Sequence, residues 1–382
     1  MADPSSSTVY LTMRREDHVL STGSGVLYER DGRCFIATAW HNFSGRNSDT
    51  FAPLSRKCAV PDNVLVTVAL VIEEIHSWFR VSITIPLQNN SCATYLIHPD
   101  PWPRKDVAVL PIDLDTAYPL VCALADGEKL SGSIKLRQSI SGMNAEIQPI
   151  QACLGTFARA GSSPTAHLQA GDDLFVLGYP RGIADYSAAP IWKRATVASH
   201  PQSGWYRQPC FLIDCASRPG MSGAPVVLYS RSGNVRRGGM TYVGSGPSSA
   251  LCGIYVGRLK DLGTSSGEQR NDMSELDFDQ DDELFRAQLG RVWRTEVIDE
   301  IIDANKGAPH PDFITVPQSA VDRALADAWP REKSKDVRHL RLPAVRSNVV
   351  NDAIVALEAN IEVSEIYRSY DAKVSALEVD HA

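Results

Sequence analysis

Ala216-Ser217-Arg218-Pro219-Gly220-Met221-Ser222-Gly223-Ala224-Pro225-Val226-Val227-Leu228 is a stretch in which a tight turn feeds an apolar strand and one serine stands between two glycines. Gly220 and Gly223 have no Cβ, so the chain there can take conformations closed to other residues and a carbonyl group can come close to the bare main chain. Attack by Ser222 Oγ would place negative charge on a carbonyl oxygen, and the N–H groups of Gly220 and Ser222 are the donors expected to meet it. Pro-Gly and Ser-Gly pairs are also ordinary turn punctuation, so the stretch taken alone reads as well as a plain turn.

A serine hydroxyl is a poor nucleophile at neutral pH and needs a base, and an imidazole base needs a carboxylate to fix its tautomer and stabilise its charged form. Two upstream segments supply these types. Thr38-Ala39-Trp40-His41 closes an apolar run, and Lys105-Asp106-Val107-Ala108-Val109-Leu110 opens another. A lone histidine after a strand is usually a surface residue, and Asp113 or Asp115 compete with Asp106 for the carboxylate role. The order His, Asp, Ser along the chain is that of chymotrypsin and differs from the orders in subtilisin and the α/β-hydrolases.

Gly23-Ser24-Gly25-Val26-Leu27, Thr38-Ala39-Trp40-His41, Asp106-Val107-Ala108-Val109-Leu110, Gly178-Tyr179-Pro180, Gly220-Met221-Ser222-Gly223-Ala224-Pro225 and Gly253-Ile254-Tyr255-Val256-Gly257 together resemble landmark segments of trypsin-like serine proteases. The resemblance runs over about residues 8–262 and is nearest the bacterial HtrA-like or glutamyl-endopeptidase-like branch. It implies a mainly β fold of two antiparallel six-stranded-type barrels, with His41, Asp106 and Ser222 as a catalytic triad. It also implies an oxyanion hole from the Gly220 and Ser222 N–H groups and a substrate pocket flanked by Ala216, Val256, Gly257 and Arg258. Asp106 is preferred over Asp113 and Asp115 because Asp-Val-Ala-Val-Leu matches the family pattern. Three positions depart from that pattern. Met221 replaces the aspartate that pairs with a freed N-terminus in activated zymogens, and Ala216 puts no carboxylate at the pocket floor, so an Arg/Lys preference does not carry over. Asn42 follows the histidine where many secreted relatives have a disulfide cysteine. Arg258 would select acidic or polar side chains or fill the pocket itself. The readings of another class are a catalytically silent protease fold acting as a binding scaffold, and an esterase using the same groups.

The 382 residues carry a formal charge of -7 and are 43% hydrophobic and 22% charged, a soluble globular composition that argues against nucleic acid as a partner, since phosphate binding needs clustered Lys and Arg. Met1-Ala2-Asp3-Pro4-Ser5 has neither the basic region nor the apolar run of a secretory signal, and no apolar span of membrane length follows, so no membrane partner and a cytoplasmic setting are expected. Eight cysteines without a Cys-x-x-Cys pair read as buried thiols rather than disulfides or a zinc site. Thr22-Gly23-Ser24-Gly25 lacks the Lys-Ser or Lys-Thr of a phosphate loop, and Asp277, Asp279 and Asp281 lack the glycine and glutamate of a calcium loop. No cofactor and no metal are expected.

Short runs rich in Val, Ile, Leu, Phe and Tyr between turn residues, with Asp31-Gly32 as a hairpin corner, predict strands through the first 260 residues. The expected organisation is an N-terminal barrel over 8–115, a connection over 116–150, a C-terminal barrel over 151–263 and an acidic linker over 264–281. A helix over 282–306, with Phe285, Leu289, Val292, Trp293, Val297 and Ile301 at helical spacing, is expected to dock on the barrels. A helical extension over 307–382 is expected to act as an arm for a protein partner. The loop Arg231 to Gly239 reads as a basic hairpin tip in solvent.

Overall fold

Val64, Val66, Val68, Leu70 and Ile72 occupy alternate positions of one run and are all buried, the period-two signature of a strand with one face on a core. The computed structural model describes residues 3–258 and 288–309, apart from short stretches at 49–53, 55–58, 90–91, 101–104, 124–128, 154–164, 166–167, 206–207, 238–239 and 244–245. The expected acidic linker and the helical extension beyond 309 lie outside the described residues.

A short helix, α1 (Pro4–Ser7), leads into the first sheet. Its strands are β1 (Thr8–Arg15), β2 (His18–Arg30), β3 (Arg33–Thr38), β4 (Asn63–Ile72), β5 (Ser77–Pro86), β6 (Gln88–Asn89), β7 (Cys92–Ile97), β8 (Ala108–Ile112), β9 (Tyr118–Ala123), β10 (Lys129–Ile134), β11 (Arg137–Ile140) and β12 (Met143–Glu146). The sheet runs β10-β9-β5-β4-β1-β2-β3-β8-β7 and curls into a half-barrel. The stretch expected as a connection, 116–150, thus adds strands to this sheet: β9 meets β5 at Ile83↔Leu120, and β12 meets β4 at Ala145↔Ile72. Between β3 and β8 lies helix α2 (Trp40–Ser44), and after β12 lies α3 (Ile150–Cys153).

The second body is a closed barrel of β13 (Asp173–Gly178), β14 (Ile191–Val197), β15 (Cys210–Asp214), β16 (Ala224–Ser230), β19 (Ser248–Arg258) and β20 (Leu289–Arg294), with a side hairpin of β17 (Val235–Arg237) and β18 (Met240–Tyr242). The mainly β, two-barrel architecture is the one expected.

The helix expected over 282–306 needs correction. Leu289–Arg294 is β20, the strand that closes the barrel between β15 and β19, and the helix is only α4 (Glu296–Ala304). Leu289, Val292 and Trp293 are spaced as on a helix face, but the strand buries both of its faces: Val292 points into the barrel interior and Trp293 into the seam between the barrels. A strand covered on two sides shows no clean alternation, and so it passed for helical periodicity. Beyond α4, Asn305 ends the helix in the left-handed conformation (φ 46°), and β21 (Gly307–Pro309) adds to the edge of β7 in the first sheet.

The seam is the third apolar region of the molecule. Phe35, Ala37, Val107 and Val109 from the first sheet meet Leu177, Val227, Leu251 and Ile254 from the second, and α4 inserts Val297, Ile298, Ile301 and Ile302 among them. The far face of α4 is tied to β2, where Tyr28 donates its hydroxyl proton to Asp299 at 2.8 Å and Arg30 pairs with Asp299 at 2.6 Å and Asp303 at 2.7 Å. Among the described residues no helix is long and apolar enough to cross a membrane.

Ile301 is fully buried, so Ile301→Ala is expected to lower unfolding free energy by about 2–5 kcal/mol in a urea titration. A chain ended at Gly263 lacks β20 and leaves β15 and β19 with open edges. It is expected to be recovered only as insoluble protein; a soluble product melting like the full chain would show that β20 does not close the barrel.

Candidate active site

His41 lies in α2, directly after β3 carries the chain across the top of the first sheet, and Asp106 directly precedes β8, the hydrogen-bonded neighbour of β3. Strand pairing therefore brings together two residues that are 65 apart in sequence. One carboxylate grips the histidine twice: Oδ1 accepts the His41 backbone N–H at 3.0 Å, and Oδ2 lies 2.8 Å from His41 Nδ1. An ionised carboxylate can only accept, so Nδ1 carries a proton, and in a neutral imidazole Nε2 is then the nitrogen with the free lone pair. Asp106 is almost wholly buried, whereas the His41 side chain keeps 19% exposure.

Burial pushes the Asp106 carboxyl upward, but the charge and ring hydrogen bond of His41, the charge of Arg291 and the His41 backbone N–H together hold it below its ordinary value of 3.8. The sign of the linkage follows. A depressed carboxyl stabilises the fold fully above the unfolded value, and this contribution is lost as pH falls through the lower folded value. Asp113 and Asp115 are turned elsewhere. Asp113 accepts the Asp115 N–H and the Thr116 hydroxyl, and Asp115 faces Arg137 at 3.8 Å.

Ser222 sits on the turn before β16. Gly220 (φ 92°) and Gly223 (φ 88°) flank it in the left-handed region that favours glycine. A Cβ on Gly223 would lie 2.0 Å from Ser24 O, and one on Gly220 would lie 2.4 Å from Tyr179 O, so both positions require glycine for space as well as for conformation. The turn is tied on every side. Ser24 donates its N–H to Ser222 O at 2.8 Å and its hydroxyl to Gly220 O at 2.8 Å, and accepts the Tyr179 N–H at 3.1 Å. Arg181 N–H donates to Pro219 O at 2.7 Å, and Gly223 N–H to Tyr255 O at 2.7 Å. Among the described residues, the N–H groups of Gly220 and Ser222 are absent from these backbone bonds. Met221 between them is fully buried in the barrel interior.

Asn42 donates its amide to Ser222 O at 3.0 Å and to Thr38 Oγ1 at 2.9 Å, while Thr38 donates to Ser24 O at 2.7 Å. Sequence reasoning noted Asn42 only as a missing disulfide and did not see Ser24 and Thr38 as supports. Their partners are up to 198 positions away, and no local spacing signals such contacts.

Ser222 Oγ lies 3.5 Å from Val256 O, a long contact, and among the described residues it has no hydrogen bond to His41. Gly257 is beside it, with the place of its missing Cβ 3.8 Å from Ser222 Oγ. Of the other predicted pocket residues, Arg258 turns its guanidinium onto the carbonyl and hydroxyl of Ser217, whose hydroxyl also meets the Tyr255 hydroxyl. Ser217, Tyr255 and Arg258 therefore form one hydrogen-bonded group. Ala216 is exposed and has no part in these contacts among the described residues. Among the described residues no group of three His, Cys, Asp or Glu side chains is arranged to hold a metal.

The sequence model of the family described as the trypsin-like peptidase domain matches residues 23–235, more than half of the chain. No curated protein matches the chain significantly in sequence. Solved structures similar in fold include the inactive form of Rv3671c from M. tuberculosis H37Rv (14% identity, 79% of this chain and 87% of that one, TM-score 0.33). Another is the serine endoprotease from Yersinia pestis (13% identity, 79% of this chain and 63% of that one, TM-score 0.33).

Asn42→Ala removes one of the two described donors to the Ser222 carbonyl, and is expected to cost about 1–3 kcal/mol of stability in urea. Asn42→Asp, which sets an acceptor against that carbonyl, is expected to cost more.

Proposed function

This chain belongs to the trypsin-like peptidase family, and from that premise we infer that it is a serine endopeptidase working through His41, Asp106 and Ser222. The observation that carries the reading is the double grip of Asp106 on His41, with the Ser222 turn tied to the same helix through Asn42. In the proposed reaction His41 Nε2 takes the Ser222 proton as Oγ attacks the scissile carbonyl. The Gly220 and Ser222 N–H groups stabilise the oxyanion, and loss of one such donor costs about 3 kcal/mol of barrier. His41 then gives the proton to the leaving amine, and water, activated by the same imidazole, releases the acyl group from Ser222. Rotation of Ser222 Oγ from Val256 O toward His41 precedes attack, in keeping with apo sites whose hydrogen bonds tighten only with substrate.

Val256 and Gly257 are proposed as the strand edge against which the polypeptide backbone lies, with Arg258 and the Ala216-Ser217 segment flanking the side-chain pocket. A guanidinium there favours acidic or polar side chains. The extension expected from 307 begins instead with β21, a strand of the first sheet, so the residues after Pro309 are proposed as the arm that meets a protein partner: a chain ended after Pro309 would still cleave a short peptide but would lose a protein substrate. The role proposed is regulatory or processing proteolysis in the cytoplasm.

Ser222→Ala, His41→Ala and Asp106→Asn are each expected to lower kcat/KM by about a thousandfold or more, because the three act as a unit, with Ser222→Ala melting like the wild type. The measurement is turnover of a peptide library together with labelling by a fluorophosphonate. Wild-type labelling that survives Ser222→Ala would overturn the nucleophile assignment, and labelling with ester but no peptide turnover would favour an esterase.

The thiols support a reducing compartment. Cys34, Cys153, Cys215 and Cys252 are buried free thiols; burial pushes Cys34 up to about 11 and Cys252 up to about 12. Buried, protonated thiols react slowly. Iodoacetamide is expected to modify the exposed Cys92 in the native protein and these four only after unfolding, and reducing agent is expected to leave the melting temperature unchanged. A drop in melting temperature on reduction would contradict the cytoplasmic assignment.

A further inference from the structure

Lys105 is buried, although a lysine ammonium is rarely found out of water without partners. Its Nζ lies 2.9 Å from Asp100 Oδ2 and 3.2 Å from His98 Nδ1. His98, also buried, follows the end of β7. Its Nδ1 receives a second donor, the Asp100 N–H at 3.0 Å, while its Nε2 lies 3.0 Å from Glu300 Oε2 on α4. Lysine is a donor only, so Nδ1, which faces Lys105 Nζ and the Asp100 N–H, is an acceptor, and the proton of a neutral His98 sits on Nε2 and is given to Glu300.

This cluster touches the proposed reaction at one point. The Val107 N–H donates to Lys105 O at 2.8 Å, closing a three-residue turn with Asp106 at its apex. The direction of the Asp106 carboxylate, which grips His41, thus depends on where the Lys105 backbone is held.

We propose that His98 and Lys105 are positioning residues for Asp106, locking the carboxylate onto His41 while His98 is neutral and releasing it when His98 gains a second proton. That proton, taken from solvent, would sit on Nδ1, where the Lys105 ammonium and the Asp100 N–H now point, and would drive Lys105 off its seat. The charged groups facing His98 are Asp100 and Lys105 on the segment between β7 and β8, and Glu300 on α4. Lys306, just past α4, donates to Pro99 O at 3.0 Å. The two carboxylates favour a charged imidazole, but burial and the Lys105 ammonium prevail and hold His98 below its ordinary value of 6.5. A depressed histidine stabilises the fold fully above its unfolded value, and this contribution is lost as pH falls through the folded value. The proposal rests on the reading of Ser222 as nucleophile.

The test is the rate of Ser222 labelling by a fluorophosphonate on the full chain between about pH 5 and about pH 8, where imidazoles titrate. Because His98 contributes a proton uptake of its own, the wild-type rate is expected to fall on the acid side more steeply than that of a variant that cannot titrate at position 98. His98→Asn, which keeps an acceptor toward Lys105 but cannot titrate, is expected to fall with a single-proton slope. Lys105→Met is expected to label between about tenfold and a hundredfold more slowly at every pH, as for a displaced catalytic group, and Lys105→Arg to recover part of that loss. Equal acid slopes in wild type and His98→Asn, or an unslowed Lys105→Met, would overturn the proposal. Absence of wild-type labelling at about pH 8 would instead overturn the nucleophile reading. The imidazole NMR signals of the wild type then decide the coupling without turnover: a His41 resonance that shifts in step with His98 titration supports it, and independent titration overturns it.

Discussion

Each sheet satisfies its own backbone hydrogen bonds, so neither has an internal reason to hold a fixed position against the other. The carbonyl of Ser222 supplies one. It accepts the N–H of Ser24 on β2 of the first sheet and the side-chain amide of Asn42 on α2, while the next residue, Gly223, donates back to Tyr255 in the second barrel. A buried carbonyl left without donors is costly, so sliding one body along the other would break several bonds at once. The proposed nucleophile is thus fixed by the first sheet, which also carries its proposed base, although its own strand belongs to the second barrel.

The apolar seam supplies the bulk of the attraction and the polar contacts its register. Alternation sends Phe35 and Ala37 of β3 into the seam and Ile36 into the first core, so one strand serves two hydrophobic regions. Helix α4 completes the seam, and its Glu300 reaches His98 just past the end of β7. Apolar burial carries no direction; the directional bonds of Asn42 and Ser24 turn a sticky interface into a defined one. Asp106 remains ionised in a dry setting because His41 and Arg291 offset the cost of its burial.

Much of this was legible in the residues. The strands of the first half followed from alternation, as in Val64 to Ile72, and the turn at Gly220 to Gly223 announced itself through glycines whose left-handed backbone no other residue adopts easily. His41 and Asp106 were singled out through the resemblance of their segments to the family pattern, which was also the ground for preferring Asp106 to Asp113 and Asp115. The reading failed at Leu289 to Arg294, where a strand buried on both faces imitates a helical stripe, and at 116–150, where Tyr118, Leu120 and Ala145 proved to be strand residues that lengthen the first sheet.

The division has a physical cause. Local sequence determined whatever depends on a residue and its near neighbours: strand period, the glycine-bound turn, the chemical types His, Asp and Ser, and the lack of a carboxylate at Ala216. Tertiary structure alone decided what depends on partners distant in the chain. That includes which donors meet the Ser222 carbonyl, which strand closes the second barrel, the Lys105 and His98 contacts beside Asp106, and the turn of Arg258 toward Ser217. Those pairings arise only when two separately formed sheets meet, and their energies are functions of distance in space, which no spacing along the chain encodes.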